Sequence, residues 1–237
     1  MIYLTGDTHG HFERFGNKKF SYSTLTKNDF LVILGDFGGI WNGSKSDKYW
    51  LDWLNDKKFT TLFVDGNHEN FDLLETYPVV SFRGGKAHRI RESVFHLMRG
   101  EIYDIDNKKI FVLGGAVSID ARFRIAGKSW WEQEIPSRCE IANAMKNLKK
   151  HNNEVDLILT HCVDLDTEKE LIGNVKSDWY ANYFESDYLE KLREFQKFLS
   201  VINDEVSYKQ WYFGHYHQNY KVDEKKTALY NEVVKIE

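Results

Sequence analysis

Five short apolar runs, each followed by polar side chains that can bind metals or carry protons, constrain the fold of this chain more than any other feature. The first ten residues read MIYLTGDTHG, in which an apolar run leads through a glycine to Asp7 and His9. The later runs lie in FLVILGDFGG, TLFVDGNHEN, LILTHC and WYFGHYH, and the polar residues after them are Asp36, Asn67, His68, His161, His215 and His217. Uninterrupted apolar runs of this length are typical of strands that are buried on both faces of a sheet.

The order of these runs predicts an α/β fold. Residues 45–58 place Trp50, Leu51 and Leu54 at helical spacing between the second and third runs, and this strand, helix, strand order implies parallel strands. Glycine at the exit of a strand lets the backbone turn sharply beside a ligand, and open α/β folds bind ligands at the carboxyl ends of their strands. We therefore expect the polar side chains to converge at one edge of the fold.

The residue types at the strand ends indicate metal chemistry. Carboxylate, imidazole and amide groups without thiolates suit a divalent ion such as Mn, Fe or Zn. The set is too large for a single ion, so the sequence predicts two divalent metal ions as cofactors.

Taken in order, GDTHG, GDFGG, GNHE, a TH pair after a strand, and GHYH resemble the motifs of the calcineurin-like metallophosphoesterases. The resemblance covers residues 1–220. It implies a four-layer αββα sandwich of two mixed β-sheets flanked by helices, whereas the apolar pattern alone supports only an α/β fold. It also implies a dinuclear metal-dependent phosphoester hydrolase.

The same resemblance implies a role for each polar residue. One metal would be bound by Asp7, His9 and His217, the other by Asn67, His161 and His215, and Asp36 would bridge the two. The nucleophile would be a hydroxide that bridges two ions about 3.5–4 Å apart. His68 would be the general acid that protonates the leaving group. Manganese is the metal that we favour.

One motif departs from that of the protein phosphatases in this family. Their GDxxDRG motif has an Asp and an Arg where this sequence has Gly39 and Ile40, so a phosphate-binding arginine must lie elsewhere. Arg122 and Arg124 are candidates because a guanidinium can bind phosphate through two parallel hydrogen bonds. His11, close to the first motif, is a third candidate for substrate binding.

The substrate class is open at this stage, and three functions are considered. A phosphomonoesterase is preferred over a phosphodiesterase or nuclease, although the family uses one metal core for all of these. The basic stretch over residues 83–91 could contact nucleic acid, but a solvated face is the simpler interpretation. A non-catalytic scaffold would not need the ligand residues and His68 together. The expected partner is a phosphorylated substrate.

Composition is compatible with a single domain over residues 1–237, because 42% apolar content allows one sizeable core. The formal charge of −4 argues against a general polyanion binder. Cys139 and Cys162 form no CxxC motif, so a disulfide framework is not expected. No basic leader is evident, and no apolar run approaches the roughly 20 residues of a membrane span. We expect a cytoplasmic protein without a membrane segment.

Local patterns predict further elements between the motifs. The second apolar run predicts a strand over Phe30–Leu34, and the alternation over residues 79–116 predicts antiparallel strands of a second sheet with a hairpin at Asp106 and Asn107. Ser137 and Glu140 form a capping box that predicts the start of a helix. Two further expectations are a long loop over residues 163–185 and a closing pair of strands over residues 219–236.

Overall fold

Two β-sheets that pack face to face form the centre of the protein. The computed structural model describes residues 1–16, 20–173 and 186–236. The strands are β1 (Ile2–Thr5), β2 (Phe30–Leu34), β3 (Thr60–Val64), β4 (Val79–Phe82), β5 (Gly85–Arg91), β6 (Val94–Leu97), β7 (Ile102–Ile105), β8 (Lys108–Leu113), β9 (Leu157–Thr160), β10 (Gln210–Phe213), β11 (Tyr220–Lys221), β12 (Lys226–Ala228) and β13 (Val234–Ile236). The α-helices are α1 (Lys45–Asn55), α2 (Phe71–Leu74), α3 (Arg138–Lys150), α4 (Leu165–Ile172) and α5 (Ser186–Glu205).

Both sheets are mixed. The first has the strand order β13-β1-β2-β3-β6-β5-β4, and the second has the order β11-β12-β10-β9-β8-β7. In the first sheet β1, β2, β3 and β6 are parallel, while β13, β5 and β4 join in antiparallel pairs. In the second sheet β8, β9, β10 and β12 are parallel, while β7 and β11 pair antiparallel at the two ends.

Three apolar layers separate the sheets from each other and from the helices. Strand β2 shows how they form, because all five of its residues are buried and its side chains alternate between two layers. Val32 and Leu34 pack between the sheets, whereas Leu31 and Ile33 pack outward against Leu51 and other residues of the helical layer. A third layer lies between the second sheet and helices α3 and α5. The predicted αββα sandwich of two mixed sheets is therefore confirmed.

Two local predictions are confirmed by hydrogen bonds and backbone angles. The side chain of Ser137 accepts the backbone N–H of Glu140, and the side chain of Glu140 accepts the backbone N–H of Ser137, so the capping box begins α3 as expected. Asp106 and Asn107 both have positive φ and connect β7 to β8 in a tight hairpin.

Three predictions about the chain path are corrected. Residues 79–116 do not all enter the second sheet, because β4, β5 and β6 extend the first. The predicted loop over residues 163–185 contains helix α4, which the Asp164 side chain caps by accepting the backbone N–H of Thr167. The rest of that prediction, with its aromatic residues Trp179, Tyr180, Tyr183 and Phe184, lies outside the described residues.

The closing strands also differ from the expectation. Strands β11 and β12 do pair with each other in the second sheet, but a further strand, β13, crosses to the first sheet and pairs with β1. The pairing of Ile2 with Ile236 joins residues from the two ends of the chain. Nothing in the local pattern indicates which sheet a short terminal strand will join.

Membrane insertion through a helix has no support in the described part of the chain. No helix there combines the length and the apolar character that a bilayer crossing requires.

The packing predicts a large cost for removing Phe63. This side chain is fully buried on β3 and stacks on Phe37 with ring centroids 4.0 Å apart. Phe63→Ala should lower the free energy of unfolding by about 3–5 kcal/mol. Phe123→Ala, at a side chain that is 76% exposed, should cost at most about 1 kcal/mol. Urea denaturation of the two variants measures the difference, and equal costs would contradict this description of the core.

Candidate metal centre

The polar residues after the five apolar runs meet at one edge of the sandwich. Strands β1, β2 and β3 are neighbours in the first sheet, and β9 and β10 are neighbours in the second. All five run parallel within their sheets, so their carboxyl ends lie side by side. The residues that these ends present to one another are Asp7, His9, Asp36, Asn67, His68, His161, His215 and His217.

A first group at this edge consists of Asp7, His9, Asp36 and His217. One ligand atom from each lies within 4.8 Å of the others. The Nε2 atoms of His9 and His217 are 3.1 Å apart, and His217 Nε2 lies 3.6 Å from Asp7 Oδ1. Two ring nitrogens directed at the same point beside two carboxylates form a donor set that suits a divalent ion.

A second group surrounds His161. Its Nε2 lies 3.1 Å from Asn67 Oδ1 and 3.3 Å from Asp36 Oδ1, while its Nδ1 lies 2.7 Å from the carbonyl oxygen of Leu34. The ring of His215 packs edge-on against His161 with centroids 5.0 Å apart. The bond to a backbone carbonyl fixes the ring of His161 so that Nε2 faces the group, as is common for metal-binding histidines.

Asp36 lies between the two groups. Its Oδ2 is 3.7 Å from His9 Nε2 in the first group, and its Oδ1 is 3.3 Å from His161 Nε2 in the second. The backbone N–H of His68 also donates to Oδ1 at 2.8 Å. Because the carboxylate is 2% exposed, water contributes little to balancing its charge.

The buried charges shift the pKa values of their neighbours. Burial alone would lower the pKa of His161, but the Asp36 carboxylate outweighs this effect and raises that pKa to about 10. Burial opposes ionisation of Asp36, yet His161 and the other nearby histidines hold its pKa well below the usual range. Burial, together with the charge of His161, lowers the pKa of His215 to about 4. A metal ion at His161 Nε2 would have to displace a proton, so metal affinity should rise with pH.

Four of the grouped residues have backbone angles that few residues with side chains adopt. The φ angles are +46° for His9, +47° for Asp36, +69° for His215 and +51° for His217. Such left-handed residues cost of order 1 kcal/mol or more each. The loops hold one another in place, because the backbone N–H groups of Thr8 and His9 both donate to the carbonyl of Asp36. A cluster of such residues at one edge of the fold is typical of a functional site.

A pocket of about 690 Å³ opens beside the first group. Its walls include His9, His68, Trp41, Trp50, Asp47 and Arg124. The carboxylate of Asp47 shapes one wall by accepting the backbone N–H groups of three successive residues, Trp41, Asn42 and Gly43. We call this space the site pocket.

A larger pocket, of about 860 Å³, lies at the opposite edge of the sandwich. It is lined by Phe30 at the start of β2 and by Asp156 just before β9. None of the grouped polar residues reaches it, so we do not associate it with the metal chemistry.

Comparison with known proteins decides the family. The profile of the calcineurin-like phosphoesterases matches residues 1–219. The chain belongs to the calcineurin-like phosphoesterase family. It is therefore a metal-dependent phosphoesterase, and the resemblance seen in the motifs is confirmed. Among solved structures, it matches the phosphopantetheinyl hydrolase PptH from Mycobacterium tuberculosis with 15% identity and a TM-score of 0.45, over 97% of this chain and 89% of that chain. No curated protein matches it.

The residues of the phosphoesterase fit the divalent metals that its family binds. The first group supplies two carboxylates and two imidazoles, which is a donor set for a borderline or hard dication. The second group supplies the Asn67 amide oxygen and two imidazoles, with Asp36 Oδ1 beside them. The fit rests on the convergence of donor atoms, and the assignment of each ligand remains a prediction.

The other predicted residues lie at different distances from the groups. The ring of His68 is 5.5 Å from that of His9 and faces the site pocket with Arg124. Arg124 donates Nε and Nη2 to Asp120 and Nη1 to the carbonyl of Ser129, so these contacts use three of its five N–H groups.

Arg122 and His11 are not brought to the groups. Arg122 is exposed and lies over the ring of Phe123 at 4.3 Å. The side chain of His11 is 78% exposed and lies 3.6 Å from Glu13. The candidate arginine nearest the groups is thus Arg124.

Several residues of the site were not identified from the sequence. Glu69 is buried and accepts the backbone N–H of Phe37 at 2.7 Å, while Tyr230 stacks on His217 at 4.6 Å. Ser118 accepts Asn67 Nδ2 at 3.0 Å. Glu69 is part of the GNHE motif, which gave a signal for it. Tyr230 and Ser118 come from distant segments that carry no motif.

Gly35 offers a direct test of how the strand end shapes the centre. A Cβ there would lie 2.0 Å from His161 Nδ1, and its φ is +97°. Gly127 has a comparable φ of +70°, but a Cβ added to it would meet no atom within 4 Å. Both alanine variants should lose about 1–2 kcal/mol of stability through backbone strain. Only Gly35→Ala should also lose metal, because it displaces His161.

Elemental analysis after incubation with Mn²⁺ and desalting measures this effect. The result expected is a metal content close to wild type for Gly127→Ala and a clear deficit for Gly35→Ala. Equal metal contents would remove His161 from the metal centre.

Proposed function

We propose that this phosphoesterase hydrolyses phosphomonoesters and binds two divalent ions, with Mn²⁺ favoured. The observation that carries the proposal is the position of Asp36, whose two oxygens face different groups of ligands. One carboxylate between two sets of donors is the arrangement expected of a bridging ligand. When bound, the ions would supply a water of lowered pKa and positive charge for the phosphate oxygens.

Arg124 and His68 are suited to the two sides of the substrate. Arg124 lines the site pocket, and two of its N–H groups lie outside the contacts it makes with Asp120 and Ser129. These groups can donate to a phosphate. His68 is held by its backbone bond to Asp36, so its side chain is positioned independently of the amide of Asn67.

His68 is proposed to protonate the leaving group. Burial lowers the pKa of His68, and Asp36 opposes this effect. A phosphate dianion in the pocket would favour the imidazolium, because an opposite charge stabilises the charged form. Binding of substrate would thus prepare the side chain to give up a proton.

The lining of the site pocket supports a small organic monoester over nucleic acid. Among the described lining residues, Arg124 is the only lysine or arginine, whereas Trp41 and Trp50 offer aromatic surface. A nucleic acid backbone needs a row of cations. The basic stretch over residues 83–91 does not supply one, since Arg91 pairs with Asp52 and His88 is buried.

A cytoplasmic location is proposed on the basis of cysteine chemistry. Cys139 and Cys162 are both free, and Cys139 is exposed. A free exposed thiol persists in a reducing compartment.

Substrate preference is tested with Mn²⁺ and matched aryl esters. Under the proposal, kcat/KM for p-nitrophenyl phosphate should exceed that for bis(p-nitrophenyl) phosphate by about tenfold or more, equivalent to about 1.4 kcal/mol. Single-stranded oligonucleotides should not be cleaved. Faster hydrolysis of the diester would replace the monoesterase by the phosphodiesterase alternative.

The bridging role of Asp36 predicts that Asp36→Asn weakens both metal sites together, because one oxygen of the carboxylate faces each group. Asp156→Asn, at the opposite edge of the sandwich, should keep both ions. Isothermal titration with Mn²⁺ counts the sites. Retention of two ions and full activity in Asp36→Asn would show that Asp36 is not a bridge.

A general acid at His68 predicts a loss that depends on the leaving group. His68→Ala should bind metal normally but lose about 10²–10⁴-fold in kcat/KM on an alkyl phosphate, which needs a proton. The loss on p-nitrophenyl phosphate should be much smaller because its phenolate leaves unaided. His151→Ala serves as the control and should change neither rate. Equal losses on both esters would exclude the general-acid role.

A further inference from the structure

The side chain of Asn67 can serve a metal in only one of its two orientations. Its Oδ1 has lone pairs for a cation, whereas its Nδ2 carries two hydrogens and cannot act as a ligand. In the structure Oδ1 faces His161 Nε2 at 3.1 Å and Nδ2 donates to Ser118 Oγ at 3.0 Å. Something must keep the amide from turning over, since both ends have almost the same size.

Ser118 follows β8 and is 2% exposed. Its hydroxyl donates to Glu134 Oε2 at 2.6 Å, and its backbone N–H donates to Glu134 Oε1 at 2.9 Å. The two bonds fix the serine against a single carboxylate. They also use the one hydrogen that the hydroxyl owns.

Glu134 is fully buried at the end of a short 3-10 helix, Glu132–Glu134. The Tyr188 hydroxyl of α5 also donates to its Oε1. No lysine, arginine or histidine pairs with this carboxylate among the described contacts, and its hydrogen bonds come from neutral groups such as Ser118 and Tyr188. A buried acid without a cation is costly, which indicates a role that the packing alone does not explain.

These contacts form a chain in which each donor direction follows from the one before. An ionised carboxylate only accepts, so the Ser118 hydroxyl must donate to it. The hydroxyl oxygen then has only lone pairs to offer Asn67, so the amide must present Nδ2. Oδ1 is thereby turned toward His161 and Asp36.

We propose that Ser118 and Glu134 are positioning residues that hold Asn67 in the orientation required of a metal ligand. This inference rests on the metal role proposed for Asn67. Outer partners of this kind typically change metal affinity by about 10–100-fold when they are removed. Burial raises the pKa of Glu134 to about 7, against the hydrogen bonds from Ser118 and Tyr188, so the ionised form is accessible at neutral pH.

Two variants test the chain at different points. Ser118→Ala removes the acceptor for Nδ2. Glu134→Gln keeps the volume but brings an N–H₂ group that can donate to Ser118, which frees the serine hydroxyl to donate to Oδ1 and lets the amide turn over. Ser93→Ala is the matched control, because Ser93 is also buried and its hydroxyl bonds to Asn55 away from the centre.

Isothermal titration with Mn²⁺ is the first measurement. Ser118→Ala and Glu134→Gln should weaken one of the two sites by about 10–100-fold and leave the other unchanged. Ser93→Ala should bind both ions as the wild type does, even where its melting temperature falls. Wild-type affinity at both sites in Ser118→Ala and Glu134→Gln would overturn the inference.

A second measurement needs no metal. Nuclear magnetic resonance of the Asn67 side-chain amide should show slow hydrogen exchange in wild type and in Ser93→Ala, and much faster exchange in Ser118→Ala. Unchanged exchange in that variant, or in Glu134→Gln where Ser118→Ala does not fold, would overturn the inference. A wild-type protein that binds Mn²⁺ but hydrolyses no phosphoester would instead refute the proposed function and leave these measurements valid.

Discussion

The buried negative charge of Asp36 is the constraint on which the rest of the centre depends. A carboxylate removed from water needs positive charge or hydrogen-bond donors close by. The protein supplies the backbone N–H of His68 and the imidazolium of His161, whose pKa the carboxylate itself raises. Divalent ions would take over this compensation when the His161 proton leaves. The carboxylate therefore binds its surroundings in either state, and it does so between two sheets rather than within one.

Close approach of backbone to side chain is the means by which the strand ends achieve this geometry. Gly35 lies against His161, and Gly66 would place a Cβ 2.2 Å from Asp36 Oδ1. His9 and Asp36 then adopt left-handed angles that the interlocked loops maintain. The stable sandwich below supports this local strain, since its three apolar layers do not depend on the loops.

Sequence reasoning succeeded where a feature is local and failed where it depends on distant contacts. The strand Phe30–Leu34 was predicted with its observed bounds because every residue in it is apolar, and the Ser137 cap was predicted because both partners lie within one turn. Convergence of the polar strand ends followed from their shared position after parallel strands. Ser118, Glu134 and the crossing of β13 were missed, since their partners lie tens of residues away or more. His11 shows the converse error, because closeness in sequence to a motif does not direct a side chain toward it.

The pairing of β1 with β13 has a consequence for how the protein is made. Strand β1 leads into Asp7 and His9, yet its outer neighbour and the partner histidine His217 are synthesised at the end of translation. A chain still being made on the ribosome can build much of both sheets while its first strand has no outer neighbour. The first metal group is therefore completed only once nearly the whole chain has left the ribosome, so a truncated product would retain much of the apolar core but lack this group.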